Sequence, residues 1–148
     1  MAKSHLALLT ALAVFLAVLV VTPAASGPKT SGPKASGPSL AQPANLEGSW
    51  SGGGVVSFAS GATERARCRA HYSRRSPTTY ALTATCATPS GRATQSASVR
   101  QVSGNSYQGS FYNSEYNLSG TIHVVVRGNS QNVHLSSGAG SASLHLSR

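Results

Sequence analysis

The chain of 148 residues contains no aspartate and only three glutamates, Glu47, Glu64 and Glu115. That scarcity excludes much chemistry. Glycoside hydrolysis calls for two carboxylates flanking the scissile bond, and a calcium or magnesium cage is built largely from carboxylate oxygens. Three scattered glutamates supply neither. No aspartate is present to orient a histidine, and no Gly-x-Ser-x-Gly elbow occurs. The expectation is therefore a protein that is not an enzyme and carries no cofactor. Helical periodicity is missing after residue 45. The longest apolar run, Leu6 to Val21, has 16 residues, short of the roughly 20 that span a bilayer.

What is present falls into three parts. Lys3, the apolar run and the small residues Thr22 to Ser26 make residues 1–25 a secretory signal peptide that is cleaved. No cysteine stands at its end to accept a lipid. Residues 26–45 repeat "SGPKT SGPKA SGPSL" and read as a Pro/Gly-rich flexible linker, unable to bury apolar surface. Residues 46–148 form the folding part. There nine arginines (65, 67, 69, 74, 75, 92, 100, 127 and 148) against three glutamates leave a net charge of +6. The expected location is periplasmic or secreted, with the membrane touched only through an uncleaved leader. In such a compartment Cys68 and Cys86 are expected to pair.

The folding part consists of runs of about 8 to 11 residues rich in Ser, Thr, Val and Tyr, broken by Gly, Asn and Pro, the mark of an all-β domain built from hairpins. Eight runs are predicted, at 46–58, 63–73, 78–87, 92–102, 106–112, 117–127, 130–137 and 141–147. Eight strands in succession suggest an antiparallel up-and-down barrel, with a two-sheet sandwich as the alternative.

Turn positions then predict register. A Gly128-Asn129 turn puts Val124 opposite Val133 and Ile122 opposite Leu135. An Ala139-Gly140 turn puts Leu135 opposite Leu144 and Val133 opposite Leu146. A tip at Ser114-Glu115 puts Phe111 opposite Leu118 and Tyr107 opposite Ile122. A Gly104-Asn105 turn turns Arg100 inward, unless a bulge near Val99 turns it out. Opposed Cys68 and Cys86 also set Tyr72 against Leu82 and Ala70 against Ala84. A one-residue slip in any of these pairs would mix apolar with polar.

The first run reads "LEGSWSGGG", and its Gly48-Ser49-Trp50 resembles the Gly-x-Trp that opens the first strand of calycins, the superfamily of lipocalins and avidins. That resemblance implies a barrel whose Trp50 closes the base of the lumen. The whole domain also resembles a group of small secreted β-barrel proteins of alphaproteobacteria, through the Trp-Ser-Gly-Gly start, "RARCRAHYSRR" and "SGAGSASL". That second resemblance implies no particular activity.

Three features are candidates for function. In "RARCRAHYSRR", Arg65, Arg67 and Arg69 alternate outward if Cys68, Ala70 and Tyr72 point inward, and Arg74 and Arg75 follow in the turn. Arginine pairs well with phosphate and carboxylate. The hairpin is thus a candidate anion-binding ribbon for an acidic glycan, lipopolysaccharide or an acidic protein, or simply a solvated face. Few aromatics interleave it, so no nucleic acid is expected. His123, His134 and His145 lie eleven residues apart, and the predicted registers align them across three strands. Two neighbours suit zinc or copper, but three in a straight row converge poorly and no carboxylate supports them, so a polar stripe is the first reading. Inward Trp50, Tyr107 and Phe111 line a lumen that is either filled or holds a small apolar ligand. The expectation is a monomeric, non-enzymatic binding or cell-envelope module meeting an anionic partner. A periplasmic inhibitor of a lysozyme or protease and a small-ligand carrier are the alternatives.

Overall fold

The computed structural model describes residues 44–148. The expected leader and all but the end of the expected linker lie outside them. Eight strands follow one another: β1 (Gly48–Phe58), β2 (Thr63–Arg74), β3 (Thr79–Thr88), β4 (Gly91–Ser103), β5 (Ser106–Asn113), β6 (Leu118–Arg127), β7 (Ser130–Ser137) and β8 (Gly140–Ser147). Each pairs antiparallel with the next, and β8 pairs with β1 to close a barrel. The closing ladder runs from Ser51 opposite Ser147 to Phe58 opposite Gly140, so the two-sheet alternative is set aside. Closure leaves no strand edge unpaired.

Alternation of side chains drives the closure. On β2, Ala66, Cys68, Ala70 and Tyr72 are buried while Arg65, Arg67, Arg69 and His71 are exposed. β6 repeats the pattern with Ile122, Val124 and Val126 inside. The predicted β2–β3 and β6–β7 registers match the structure, with Cys68 opposite Cys86 and His123 opposite His134. The cysteines form a disulfide.

Two predicted registers slide by two residues along the barrel axis. On β5–β6, Phe111 faces Gly120 and Tyr107 faces Val124. The tip is four residues long, because the Asn113 side chain accepts from the Tyr116 amide at 3.1 Å and Asn117 adopts a left-handed φ of 47°. On β7–β8, Val133 faces Leu144, Leu135 faces Ala142, and Leu146 faces Gln131. The turn is Gly138-Ala139, because Gly140 is taken up by the seam. There its φ is 142°, and a Cβ would strike the carbonyl oxygen of Ser57. Arg100 points outward, opposite Gln108, and Val99 points in. The bulge that turns them lies between Gln101 and Ser103, expelling Val102 to 51% exposure, rather than at Val99.

The up-and-down path sorts the connections between two ends. The base carries the β2–β3, β4–β5 and β6–β7 turns and both ends of the domain. Its lumen is filled by Leu46, Trp50, Tyr72, Tyr80, Val99, Tyr107 and Val126. The Trp50 indole donates to the Leu46 carbonyl at 2.8 Å, and the Tyr107 hydroxyl donates to the Ala44 carbonyl. Tyr80 and Tyr107 meet edge to face at 5.6 Å. The opposite half is lined by small residues, among them Ala84, Ala97, Gly120 and Ala142, so it stays open where the base is plugged.

Candidate functional site

The open half forms an apolar cup. A cavity of about 120 Å³ lies at its mouth between Val56, Phe58, Phe111, Leu118, Leu135 and Ala142. Deeper in, about 20 Å³ remains among Leu82, Ala84, Phe111, Ile122 and Leu144. A wider cleft of about 570 Å³ runs along the rim, past Phe58, Glu64, Thr88, Arg92 and Tyr116. Gln95 lines all three spaces. Phe111 lies over Gly120, where a Cβ would stand 2.7 Å from the ring, so that glycine is what lets the ring lie against the wall.

The rim supplies polarity and a partial cover. Glu64 accepts from the Ser90 hydroxyl and from the Ser90 amide, the latter at 3.3 Å. Those side-chain bonds, to Ser90 first and Thr88 next, hold its carboxyl below the ordinary value, so it stays charged. Tyr116, 64% exposed, reaches from the β5–β6 tip toward the β3–β4 turn, its hydroxyl 3.7 Å from where a Cβ on Gly91 would stand. Gln95 is the residue that the sequence reading missed. Its signal was legible, since Ala93, Gln95 and Ala97 occupy successive inward positions and the glutamine is the polar one.

Of the three lumen residues named from sequence, Phe111 borders the cup and the other two belong to the base. Trp50 is buried beneath the Arg148 guanidinium, 4.5 Å from the ring centre. Tyr107 is buried beside Tyr80, and its hydroxyl pKa is raised by burial first and by Tyr80 next, with Arg74 opposing. Tyr72 is buried with its hydroxyl donating to Gln131 Oε1 at 3.0 Å. Burial pushes that hydroxyl far above its ordinary pKa, outweighing the bond to Gln131. Gln131 Nε2 is buried without a partner among the described residues.

The arginines divide into two groups. Arg74 serves the base. It pairs with Glu47 at 3.6 Å, donates to Asn45 at 3.2 Å and covers the Tyr80 ring at 5.3 Å. Arg75 is exposed in the turn, its amide donating to the Thr79 carbonyl at 2.9 Å. Arg65, Arg67 and Arg69 are exposed on the outer face of β2, and among the described residues the Arg74–Glu47 contact is the one ion pair. Arg92 joins them laterally, since Arg67 faces Ala87 and Ala87 faces Arg92.

The predicted row of three histidines is broken. His134 faces Ser143 rather than His145, and its Nδ1 lies 3.2 Å from the Ser143 hydroxyl. His145 faces Asn132, with Nδ1 3.0 Å from the Asn132 Oδ1. The two-residue slide of β8 is the cause. Among the described residues no group of three His, Cys, Asp or Glu side chains is arranged to hold a metal ion.

No protein-family model matches the chain, and no curated protein matches it. Solved structures share its fold. A redesigned β-barrel, mFAP1, bound to DFHBI, superposes with a TM-score of 0.60 at 15% identity, over 70% of this chain and 94% of that one. A related redesigned barrel, mFAP0, also bound to DFHBI, gives 0.58 at 16% identity, over 70% and 98%. A fluorescence-activating β-barrel designed de novo gives 0.55 at 18% identity, over 70% and 93%. The chain is similar to these in architecture: a closed eight-stranded antiparallel barrel.

Proposed function

We propose that this protein is an exported, non-enzymatic barrel that binds one small, largely apolar molecule at its open end. The asymmetry of the lumen carries the reading: large side chains plug one half, while the other is walled by small ones and opens to solvent. The cavity of about 120 Å³ at the mouth suits a group near the size of a single ring, since a dry cavity of roughly 150 Å³ takes benzene. The rest of the ligand would occupy the rim cleft, where Glu64, Thr88 and Arg92 offer polar contacts. Gln95, bordering every one of these spaces, would orient it. Ligand sites of this form are mostly apolar with a few placed polar groups. Barrels of the same architecture bound to DFHBI support the reading by analogy of fold. The disulfide suits an oxidising compartment outside the cytosol.

The test is native mass spectrometry of the protein purified from its own host, together with titration by an apolar fluorescent dye. The expected result is a co-purifying small molecule, or a dye site, that Ala142→Phe eliminates by filling the cavity while thermal unfolding stays cooperative. Protein that arrives empty and leaves the dye in water would overturn the reading.

A further inference from the structure

The outer wall holds a second concave surface, independent of the lumen. Two shallow clefts meet on β1 at Gly53 and Gly54. One, about 560 Å³, runs between the bare glycines and Arg65 and Arg67. The other, about 380 Å³, runs from the same glycines to His123, Asn132, His134 and His145. Register explains the alignment. Gly53 faces Arg67 on one side and His145 on the other, and His145 faces Asn132. One step along, Val55 lies between Arg65 and Ser143, and Ser143 faces His134. At about 4.8 Å per strand, His145 and Arg67 stand roughly 10 Å apart across Gly53, which has no side chain, while the exposed Val55 side chain forms the floor one step along. Gly53 is confined to glycine by packing, since a Cβ there would meet the Ala66 carbonyl oxygen. The trough is thus permanent, with an arginine wall on one side and an imidazole and amide wall on the other.

From this arrangement we infer that the trough binds a negatively charged polysaccharide chain. The charge is uncompensated, because none of Arg65, Arg67 and Arg69 has a carboxylate within ion-pair distance among the described residues. Guanidinium groups two residues apart on a strand repeat every 6.6–6.8 Å or so, and their planar forks match carboxylate, sulfate and phosphate oxygens. The surroundings favour a sugar over other polyanions. Ser49, Ser51, Thr83, Asn132 and Ser147 are set on the adjoining outer faces and present hydroxyls and amides to a hydroxyl-rich chain. Among the described residues no exposed Phe, Tyr or Trp ring lies between the arginines to stack a base. A closed barrel offers no free edge onto which an acidic peptide could add as a strand.

The experiment is calorimetric titration of the full domain with heparin and polygalacturonate, against dextran and polyglutamate. Both acidic polysaccharides are expected to bind, with affinity falling on the order of tenfold or more between about 50 and 200 mM salt if three or more arginines engage. Arg65→Gln/Arg67→Gln/Arg69→Gln should weaken binding at least tenfold at unchanged melting temperature. Arg100→Gln/Arg127→Gln, elsewhere on the surface, should change it less than twofold. His134→Ala/His145→Ala should weaken it several-fold. Equal loss from both arginine sets, binding of dextran, or polyglutamate binding as tightly as polygalacturonate would each overturn the assignment.

Discussion

Tyr72 buries its hydroxyl against Gln131 in the plugged half of the barrel, and its raised pKa makes stability depend on pH. An unfolded tyrosine loses its proton above pH about 10, whereas folded Tyr72 keeps it. Rising pH therefore favours the unfolded chain. The contribution is intact below pH about 10 and is lost above it at about 1.4 kcal/mol per pH unit, until Tyr72 itself ionises. Unfolding by denaturant between pH 9 and 12 should show this slope, and Tyr72→Phe should reduce it, leaving the smaller part that Tyr107 contributes. The same pair predicts a thermodynamic cycle. Gln131→Leu alone strands the Tyr72 hydroxyl and should cost about 1–3 kcal/mol, while Tyr72→Phe added to it should restore most of that. Additive losses would show that the two side chains act separately. Alternation alone places Gln131 inside, between Val126 and Leu146, but the partner of its oxygen lies 59 residues away in sequence and only the fold brings it there.

At the scale of elements, the β2–β3 hairpin is held by Cys68–Cys86, closing a loop of 18 residues. Replacing both cysteines with alanine should cost roughly 3 kcal/mol on the chain-entropy account, lowering the melting temperature by about 10 °C or more. A shift of only a degree or two in a thermal scan would mean that the unfolded chain is already restricted there. The β5–β6 hairpin depends on Phe111 lying over Gly120. Gly120→Ala should cost about 1–3 kcal/mol by overpacking and should alter dye binding in the cup, since Phe111 borders it. The sequence expectation for this hairpin had the correct face and the wrong partner. Asn113 and Asn117, four residues apart and each able to cap a turn, were the available signal for a longer tip.

For the whole molecule, closure makes every strand an interior one. The ends of the domain also meet at the base, where the Arg148 guanidinium donates to the Glu47 carbonyl at 3.0 Å. Joining Arg148 to Leu46 through a short linker and opening the chain at Gly128-Asn129 should therefore give the same barrel. The check is circular dichroism with a cooperative thermal transition. A permuted chain that stays unfolded would show that the β6–β7 pairing cannot form without its covalent turn. The net charge of the domain, by contrast, shapes only what approaches the surface and not how the chain folds.

The sequence by itself determined which side of each strand except β4 faces in, where the strands begin and end within a few residues, and which thiols meet. All of these follow from a side-chain period of two and from local turn residues. Tertiary structure decided how far each strand slides along the axis. A slide of two residues keeps every apolar side chain inside and is invisible to that period, so capping bonds at the tips and the fit of β8 against β1 set it. The same slide parted His145 from His134. The choice of which end is plugged and which stays open, together with the lateral alignment of arginines, glycines and histidines, likewise depends on strands far apart in sequence being brought side by side by closure.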